Sequence, residues 1–169
     1  MAVSTPETIS ATHLVEDFDC GKPALNFWLL SRALRNQREN FTAVRVVHHD
    51  MKVVGFYGLA PTAVMPSLLP RSIRTGQPPD PIPCILLGQL AVDRRYGKQG
   101  IGTGLVHHAL TRTVQAAGLI GGAALIVNAL DQDAANYWKA WGFVETKDDS
   151  LVLCRSIARI KASLESRAN

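Results

Sequence analysis

The feature that most constrains this chain is an apolar run followed by a glycine-bearing loop and an amphipathic stretch. The run CILLGQLAV (84–92) is almost continuously apolar, which predicts a central strand of a sheet. The loop DRRYGKQG follows, and the next stretch has apolar residues at helical spacing, at Ile101, Leu105, Ala109 and Val114. Amides in the first turn of a helix lack partners inside it, so a glycine loop at a helix start predicts an anion site. A tight strand-to-helix connection is the alternative that the loop alone leaves open.

Strand and helix patterns alternate through the rest of the chain, after a polar entry segment at 1–22. Helix patterns cover 24–37, with Pro23 in the first turn, 101–118 and 132–141, and a basic stretch from RSIARIKASL is typical of a frayed terminal helix. Strand patterns cover 41–49, 52–64, 84–92, 123–130 and 143–157, the last as one strand or a pair. A proline-rich loop, expected to be exposed, lies at 66–83. This order predicts an α/β fold, a single domain over residues 1–169 around a mixed sheet.

Composition restricts the class of protein. With 47% hydrophobic and 19% charged residues, the chain is that of an ordinary globular protein. No apolar run approaches the ~18–20 residues that span a bilayer, and no signal segment opens the chain. Its 3 cysteines lie far apart without Cys-x-x-Cys spacing. This argues against a disulfide framework and a metal site, and it predicts a cytoplasmic protein. The net charge of +4 suits a polyanionic or phosphorylated partner and is equally common among other soluble proteins.

The stretch LAVDRRYGKQGIGTGLVHHAL resembles the acetyl-CoA-binding motif of the GNAT superfamily of N-acetyltransferases, Gln/Arg-x-x-Gly-x-Gly/Ala. Gly100 and Gly102 match the two small positions. Gly97 stands where the motif has Gln or Arg, with Gln99 close enough to compensate. The resemblance implies a GNAT acyltransferase fold with acetyl-CoA as cofactor, loop amides that hold its diphosphate, and a preceding strand that pairs with its pantetheine arm. The cofactor-binding residues implied in this way are Leu90, Ala91, Val92, Gly97, Lys98, Gln99, Gly100, Ile101, Gly102, Thr103, Asn136 and Trp138.

Over roughly residues 17–155 the chain resembles the acetyltransferase toxins of bacterial toxin–antitoxin pairs. The segments FDCGKPALNFWLLSRALRNQ, VVGFYGLAPTAV and VNALDQDAANYWKAWGF carry this resemblance. Members of that family acetylate the α-amino group of the amino acid on charged tRNA, which blocks translation. Many are homodimers, and a small ribbon-helix-helix antitoxin usually holds them in check. The resemblance therefore implies an aminoacyl-tRNA substrate, an antitoxin partner, no membrane, and DNA contact only through the antitoxin.

The segment AANYWKAWGF (134–143) resembles a second family motif, Ala-x-x-Phe-Tyr-x-x-x-Gly-Phe, whose helix flanks the cofactor thiol. In the toxins, the tyrosine of this motif is held to be the general acid that protonates the departing thiolate. That position is Trp138 here, and Tyr137 takes the place of the phenylalanine. An indole N–H only donates, whereas a phenol can pass on a proton.

Three interpretations of Tyr137 and Trp138, the catalytic candidates, stay open. Transfer proceeds without an acid at a reduced rate, Tyr137 takes over through a local distortion of the helix, or the protein binds acetyl-CoA but is a poor catalyst.

A tRNA substrate requires cationic surface. Arg32, Arg35 and Arg38 recur every third residue along one side of the first helix, and Arg94 and Arg95 lie at the glycine loop. We expect part of this set to contact tRNA phosphates, and a solvated face is the alternative for any one of them. Two other functions remain open: acetylation of a small amine or a protein N-terminus, and a weakly catalytic module that binds acetyl-CoA and a partner.

Overall fold

The computed structural model describes residues 2–168 and contains a mixed sheet of 7 strands in the order β1-β2-β3-β4-β5-β7-β6. The strands are β1 (Glu7–Thr8), β2 (Ala43–His49), β3 (Lys52–Val64), β4 (Ile82–Val92), β5 (Ala124–Asn128), β6 (Val144–Glu145) and β7 (Val152–Ser156). Strands β4 and β5 are parallel, whereas the β1–β2, β2–β3, β5–β7 and β6–β7 pairs are antiparallel. The predicted mixed α/β sheet is therefore confirmed.

The helices lie close to the predicted segments. A continuous helical rod consists of α1 (Pro23–Trp28), a π-helical turn (Leu29–Ala33) and α2 (Leu34–Arg38). The others are α3 (Ile101–Ile120), α4 (Gln132–Ala140) and α5 (Ile157–Ala168). Among the helices described, none combines the length and the apolar character needed to cross a bilayer.

The chain divides into two compact units, which are described separately; residues 1–60 and 88–109 form the first, and 61–87 and 110–169 the second. That these form one domain stays a prediction. In the first unit, a tight turn with positive φ at Asp50 and Met51 joins β2 to β3 as a hairpin. The helical rod packs on this hairpin, burying Leu29 and Ala33 against Val44, Phe56 and Ala91.

The entry segment is more ordered than its polar composition predicts. Strand β1 pairs with β2, and the amide of Ile9 donates to the carbonyl of Val44. Ile9 and Phe18 are buried in the same core cluster as the helical rod. The polar segment at 1–22 is thus irregular over most of its length, and two isolated apolar residues, too few to make a periodic pattern, anchor it.

The second unit has its own core, in which Leu69, Ile82, Cys84, Ala124, Ile126 and Cys154 are buried together. Strand β4 begins at Ile82, inside the segment predicted as a loop, because Ile82 enters this core. The loop at 66–83 is also not exposed throughout, since Leu69 is completely buried. Likewise, α5 is not frayed along its length, since Ile160 in its first turns is fully buried.

The end of α4 is a Schellman motif, which fixes the two candidate aromatic residues. Gly142 adopts a φ of 88°, and its amide donates to the carbonyl of Lys139 at 2.9 Å. The amide of Phe143 donates to the carbonyl of Trp138 at 3.2 Å. The rings of Phe143 and Trp138 pack edge to face at 5.4 Å, which is the apolar contact that accompanies this motif.

Two glycine-to-alanine substitutions test this helix end. Gly142→Ala places a side chain at positive φ, and we expect it to lower the free energy of unfolding by about 1–2 kcal/mol. Gly118→Ala is the matched control: Gly118 lies within α3, and nothing stands within 4 Å of an added Cβ. That variant gains about 0.5–1 kcal/mol because alanine favours the helix. Urea denaturation measures both, and an unchanged Gly142→Ala midpoint would contradict the motif's role.

Candidate functional site

The glycine loop joins β4 to α3 through a short turn. A 3-10 turn spans Arg94–Tyr96, followed by Gly97 in extended backbone. Lys98 has a φ of 61° and Gly100 a φ of 81°, so two of three successive residues adopt a left-handed backbone conformation. The positive φ is ordinary for glycine, whereas at Lys98 it costs about 1 kcal/mol.

The first turn of α3 presents amides without partners in the helix. Gly104 donates to the carbonyl of Gly100 at 3.0 Å, which is the first hydrogen bond of the helix. The N–H groups of Ile101, Gly102 and Thr103 precede this bond and therefore have no acceptor inside the helix. A Cβ added at Gly100 would meet no atom within 4 Å, so the loop borders open space there. The geometry suits a bound anion.

Asp93 anchors the start of this loop. Its carboxylate is 1% exposed and accepts hydrogen bonds from the Arg95 amide at 2.9 Å and the Asp19 amide at 3.1 Å. The Arg95 guanidinium donates to both carboxylate oxygens, at 2.9 and 2.7 Å, and also to the carbonyl of Asp17 at 2.6 Å. One buried carboxylate thus joins the end of β4, the loop and the entry segment.

The hydrogen bonds of Asp93 control its ionisation. Burial is the largest single influence and favours the neutral carboxyl, but the hydrogen bonds from Arg95 and Asp19 together outweigh it. The pKa of Asp93 is therefore lowered, and the same pairing raises the pKa of Arg95. Asp93 is charged at neutral pH.

The strand that precedes the loop presents alternate faces. Ala91 is buried in the core cluster with Leu29 and Phe56, whereas Leu90 and Val92 are half-buried and, by strand alternation, belong to the other face. The predicted cofactor contact at Ala91 therefore involves its backbone, and a side-chain contact is available only at Leu90 and Val92.

Tyr137 and Trp138 have opposite environments on α4. Trp138 is 7% exposed, and Tyr137 is 41% exposed, with their rings edge to face at 5.3 Å. Helix α4 is regular from Gln132 to Ala140, so it lacks the local distortion by which Tyr137 was to reach the position of Trp138. Asn136 is exposed and accepts a hydrogen bond from Gln132 at 3.0 Å.

Known proteins share the sequence and the fold of this chain. Residues 9–143 match the acetyltransferase (GNAT) family. A tRNA-acetylating toxin of Mycobacterium tuberculosis is 39% identical over 150 residues, which are 89% of this chain and 90% of the toxin.

Solved structures of related toxins match almost the whole chain. The structure of AtaT complexed with acetyl-methionyl-tRNAfMet has a TM-score of 0.87 at 28% identity, covering 96% of this chain and 99% of AtaT. A tyrosine-to-phenylalanine mutant of AtaT, bound to the C-terminus of the antitoxin AtaR and acetyl-CoA, has a TM-score of 0.80 at 26% identity. The match covers 96% of this chain and 98% of the mutant.

The chain belongs to the acetyltransferase (GNAT) family.

The fold and cofactor predicted from the two motifs are therefore confirmed. This GNAT protein is an acetyl-CoA-dependent N-acetyltransferase, and acetyl-CoA supplies the acetyl group as a thioester. The unpartnered amides and the glycine backbone at Gly100 fit the diphosphate of that molecule. Lys98 is exposed and adds positive charge to the same loop, where Arg94 and Arg95 are paired with aspartates.

The arginines predicted to bind tRNA differ in their pairing. Arg94 lies 2.7 Å from a carboxylate oxygen of Asp19, and Arg95 is held by Asp93. Arg35 lies 3.3 Å from Glu39 on an exposed helix surface. Arg32 and Arg38 are exposed, and among residues 2–168 neither forms an ion pair.

Two features of the GNAT protein were missed from its sequence. Asp93 precedes a short basic turn, the usual position of a capping aspartate, and this signal could have identified it. The second is His108, whose Nδ1 lies 2.6 Å from the buried hydroxyl of Tyr57. No local signal indicates that contact, because it joins residues 51 positions apart.

Glu7, His13 and His48 bring their ligand atoms within 4.8 Å of one another, yet their hydrogen bonds do not suit a metal. Nδ1 of His13 accepts from the Ser10 amide, and Nδ1 of His48 accepts from the Met51 amide. The ring protons of the neutral histidines therefore lie on Nε2, which donates to Glu7 at 2.7 and 2.9 Å. A metal-bound Nε2 would leave an Nδ1 proton facing an amide N–H. The cluster ties the entry segment to β2.

Asp93→Asn tests the anchor of the glycine loop. Because the pKa of Asp93 is lowered in the folded protein, its contribution to stability is present above the unfolded value, 3.8, and is lost as pH falls through the folded value. We expect the variant to lose about 1–3 kcal/mol at pH 7, with a difference from wild type that shrinks below a pH of about 4. Asp148→Asn, at an exposed position, is the control. Urea denaturation across pH measures both, and a pH-independent difference would contradict the role of the charge.

Proposed function

We propose that this acetyltransferase acetylates the α-amino group of the amino acid on charged tRNA, and that it acts as a toxin by blocking translation. The observation that carries the proposal is the 39% identity to a tRNA-acetylating toxin across 89% of this chain. The structural match to AtaT holding an acetylated methionyl-tRNA supports the same substrate class.

The chemistry demands little of an acid or base for the incoming amine. A free α-amine titrates near ~7.7–8.0, and an adjacent ester lowers that value further, so a good fraction is neutral at cellular pH. The amine nitrogen forms a bond to the acetyl carbon, the thioester C–S bond breaks, the amine loses a proton and the sulfur ends as a thiol. The protein must therefore chiefly position the two reactants.

In this proposal the glycine loop holds the diphosphate of acetyl-CoA. The amides of residues 98–103 donate to it, and Lys98 adds a cation. Gly97, Gly100 and Gly102 keep side chains out of the way, and Gln99 compensates for the glycine at the motif's Gln/Arg position. Leu90, Ala91 and Val92 pair with the pantetheine arm, and Asn136 and Trp138 complete the proposed cofactor site.

Tyr137 is the proposed source of the proton for the departing sulfur, donated from the exposed side of a regular α4 and not from the position of Trp138. Its phenol is exposed and can pass on a proton. Trp138 is packed against Phe143, and its indole N–H only donates a hydrogen bond. A thiol of pKa about 8.5 also leaves tolerably as a thiolate, so Tyr137 accelerates a step that proceeds slowly without it.

The proposed partners follow the related toxins. The tRNA phosphates are contacted mainly by Arg32 and Arg38. A smaller contribution comes from Arg35, Arg94 and Arg95, because each of these is paired with an acidic residue. A ribbon-helix-helix antitoxin neutralises the toxin and carries any contact with DNA, as AtaR binds AtaT. The protein acts in the cytoplasm as a homodimer of single-domain chains.

A second candidate function is a weakly catalytic module that binds acetyl-CoA and the antitoxin. Trp138 at the tyrosine position is the observation that favours it. The two candidates differ in turnover and share cofactor binding, so binding alone does not separate them.

Labelled acetyl-CoA tests the proposed reaction. When the protein is incubated with [¹⁴C]acetyl-CoA and total charged tRNA, we expect label on the α-amino groups of aminoacyl ends and none on deacylated tRNA. Acetyl-CoA binding without label on tRNA would support the second candidate. Label on a small amine or on protein N-termini, with charged tRNA untouched, would overturn the substrate.

Tyr137→Phe and Trp138→Phe separate the two aromatic residues. If Tyr137 supplies the proton, Tyr137→Phe lowers kcat by about 10²–10⁴ without changing stability. Trp138→Phe should lower mainly the unfolding free energy, because it removes buried volume. Single-turnover acetylation and urea denaturation measure the pair. An unchanged kcat in Tyr137→Phe removes that residue from the reaction.

Charge reversal tests the arginine face. We expect Arg32→Glu with Arg38→Glu to weaken binding of charged tRNA about tenfold or more and to reduce the salt dependence of binding, because phosphate contacts release counterions. Arg112→Glu with Arg159→Glu is the matched control, since both are exposed arginines on other helices. If the two changes weaken tRNA binding equally, the binding depends on the total charge of the protein and not on this face.

A further inference from the structure

Gln89 lies on β4 in the first unit, and its carboxamide occupies space next to Gly58 of β3. A Cβ added at Gly58 would come within 2.7 Å of Gln89 Oε1, 2.9 Å of Thr42 Cγ2 and 3.5 Å of Trp28 Cη2. Glycine within a strand often marks a close approach of other atoms. Here the absence of a side chain at position 58 is what leaves space for the Gln89 head group.

The surroundings of this carboxamide are fixed by contacts of their own. Trp28 stacks on Phe56 with the ring planes 5° apart and the centroids 5.9 Å apart. The amide of Thr42 donates to the carbonyl of Asn36 at the end of the helical rod. Trp28 and Thr42, which come near the same point as the Gln89 head group, are therefore held in place without its participation.

The carboxamide itself has no hydrogen-bond partner within residues 2–168. Its residue is half-buried, and neither of its polar atoms is among the fully buried ones without a partner, so the head group still reaches solvent. A carboxamide offers two donors and an acceptor, and here they are satisfied by water or by a ligand that displaces it.

The position of Gln89 relates it to the proposed cofactor path. The glycine loop lies at the end of β4, and Leu90–Val92 are proposed to pair with the pantetheine arm as it runs back along the strand. Gln89 is the next residue along that direction. Its side chain lies on the Trp28 side of the strand, the same face as Ala91. A group held by Gln89 is thus presented beside the acetyl end of the arm.

We propose that the Gln89 carboxamide binds the aminoacyl end of the acceptor, with Oε1 accepting an N–H of the attacking α-amine and Nε2 donating to the ester carbonyl. This rests on the proposed function. Amine and ester carbonyl are the donor and acceptor that every aminoacyl end presents. The contact therefore recognises the two groups that all aminoacyl ends share, and it does not discriminate between amino-acid side chains.

The neutral charge of the carboxamide matters for the reaction. A carboxylate at this position would favour the ammonium form and raise the pKa of the bound amine. An ammonium has no lone pair to attack with. A carboxamide accepts the amine N–H without that penalty, so the amine reacts in its neutral form near physiological pH.

Gln89→Glu and Gln89→Ala test this contact in the full-length protein. In Gln89→Ala, we expect the KM for charged tRNA to rise about three- to tenfold while the KM for acetyl-CoA is unchanged. In Gln89→Glu, the pH midpoint of single-turnover acetylation should rise by about one unit, because the carboxylate holds the amine protonated. Gln115→Ala, at an exposed glutamine of α3, is the control and leaves both quantities unchanged.

The outcomes separate this inference from the function on which it rests. Acetyl-CoA binding by calorimetry verifies that each variant is folded, and Gln89→Glu, which is nearly isosteric, serves if Gln89→Ala is not. If wild type labels charged tRNA but both variants keep its KM for charged tRNA and its pH midpoint, the inference is overturned and the function stands. If wild type labels no charged tRNA, the proposed function fails and the inference fails with it.

Discussion

The buried carboxylate of Asp93 is the interaction on which the loop of this acetyltransferase depends. It receives hydrogen bonds from the turn that follows it, from the Arg95 guanidinium and from the entry segment at Asp19. Burial opposes its charge, and the hydrogen bonds from Arg95 and Asp19 together offset that cost. Because the turn is held in this way, the chain enters α3 with its first amides open, and Lys98 keeps a backbone conformation that it would rarely adopt alone.

The same arrangement explains how the cationic residues near the loop are used. Arg94 and Arg95 are adjacent to a glycine loop, which suggests phosphate ligands from sequence, but each is paired with an aspartate. Both arginines are thus engaged in ion pairs that hold the loop, whereas Lys98 is exposed. The partner of Arg94 could not be found from the sequence, since Asp19 lies far from the loop along the chain.

Helix α4 shows a similar separation of roles. Its Schellman end requires an apolar residue to pack against Phe143, and Trp138 meets that requirement with a larger ring than a tyrosine. The phenol in this segment is displaced by one residue and is therefore about 100° round the helix, on the exposed side. In this chain Trp138 packs against Phe143, and the proposed proton donor is its neighbour Tyr137.

The fold was predictable because its main elements carry strong periodic patterns. The β4–loop–α3 unit and the α4 motif were identified from spacing and resemblance, and their boundaries differ from the structure by only a few residues. Ile9, Leu69 and Ile82 were missed because single apolar residues in polar or proline-rich segments create no period, although each is buried. Tyr57–His108 and Gly58–Gln89 were missed because they join distant parts of the chain.

The central claim is that the open amides at the start of α3 grip the diphosphate of acetyl-CoA. Titration of ¹⁵N-labelled protein with coenzyme A, followed by amide chemical shifts, tests it directly. We expect the resonances of Gly100, Ile101, Gly102 and Thr103 to move most and to saturate together with binding. Saturable binding that leaves these four resonances in place while others move would contradict it.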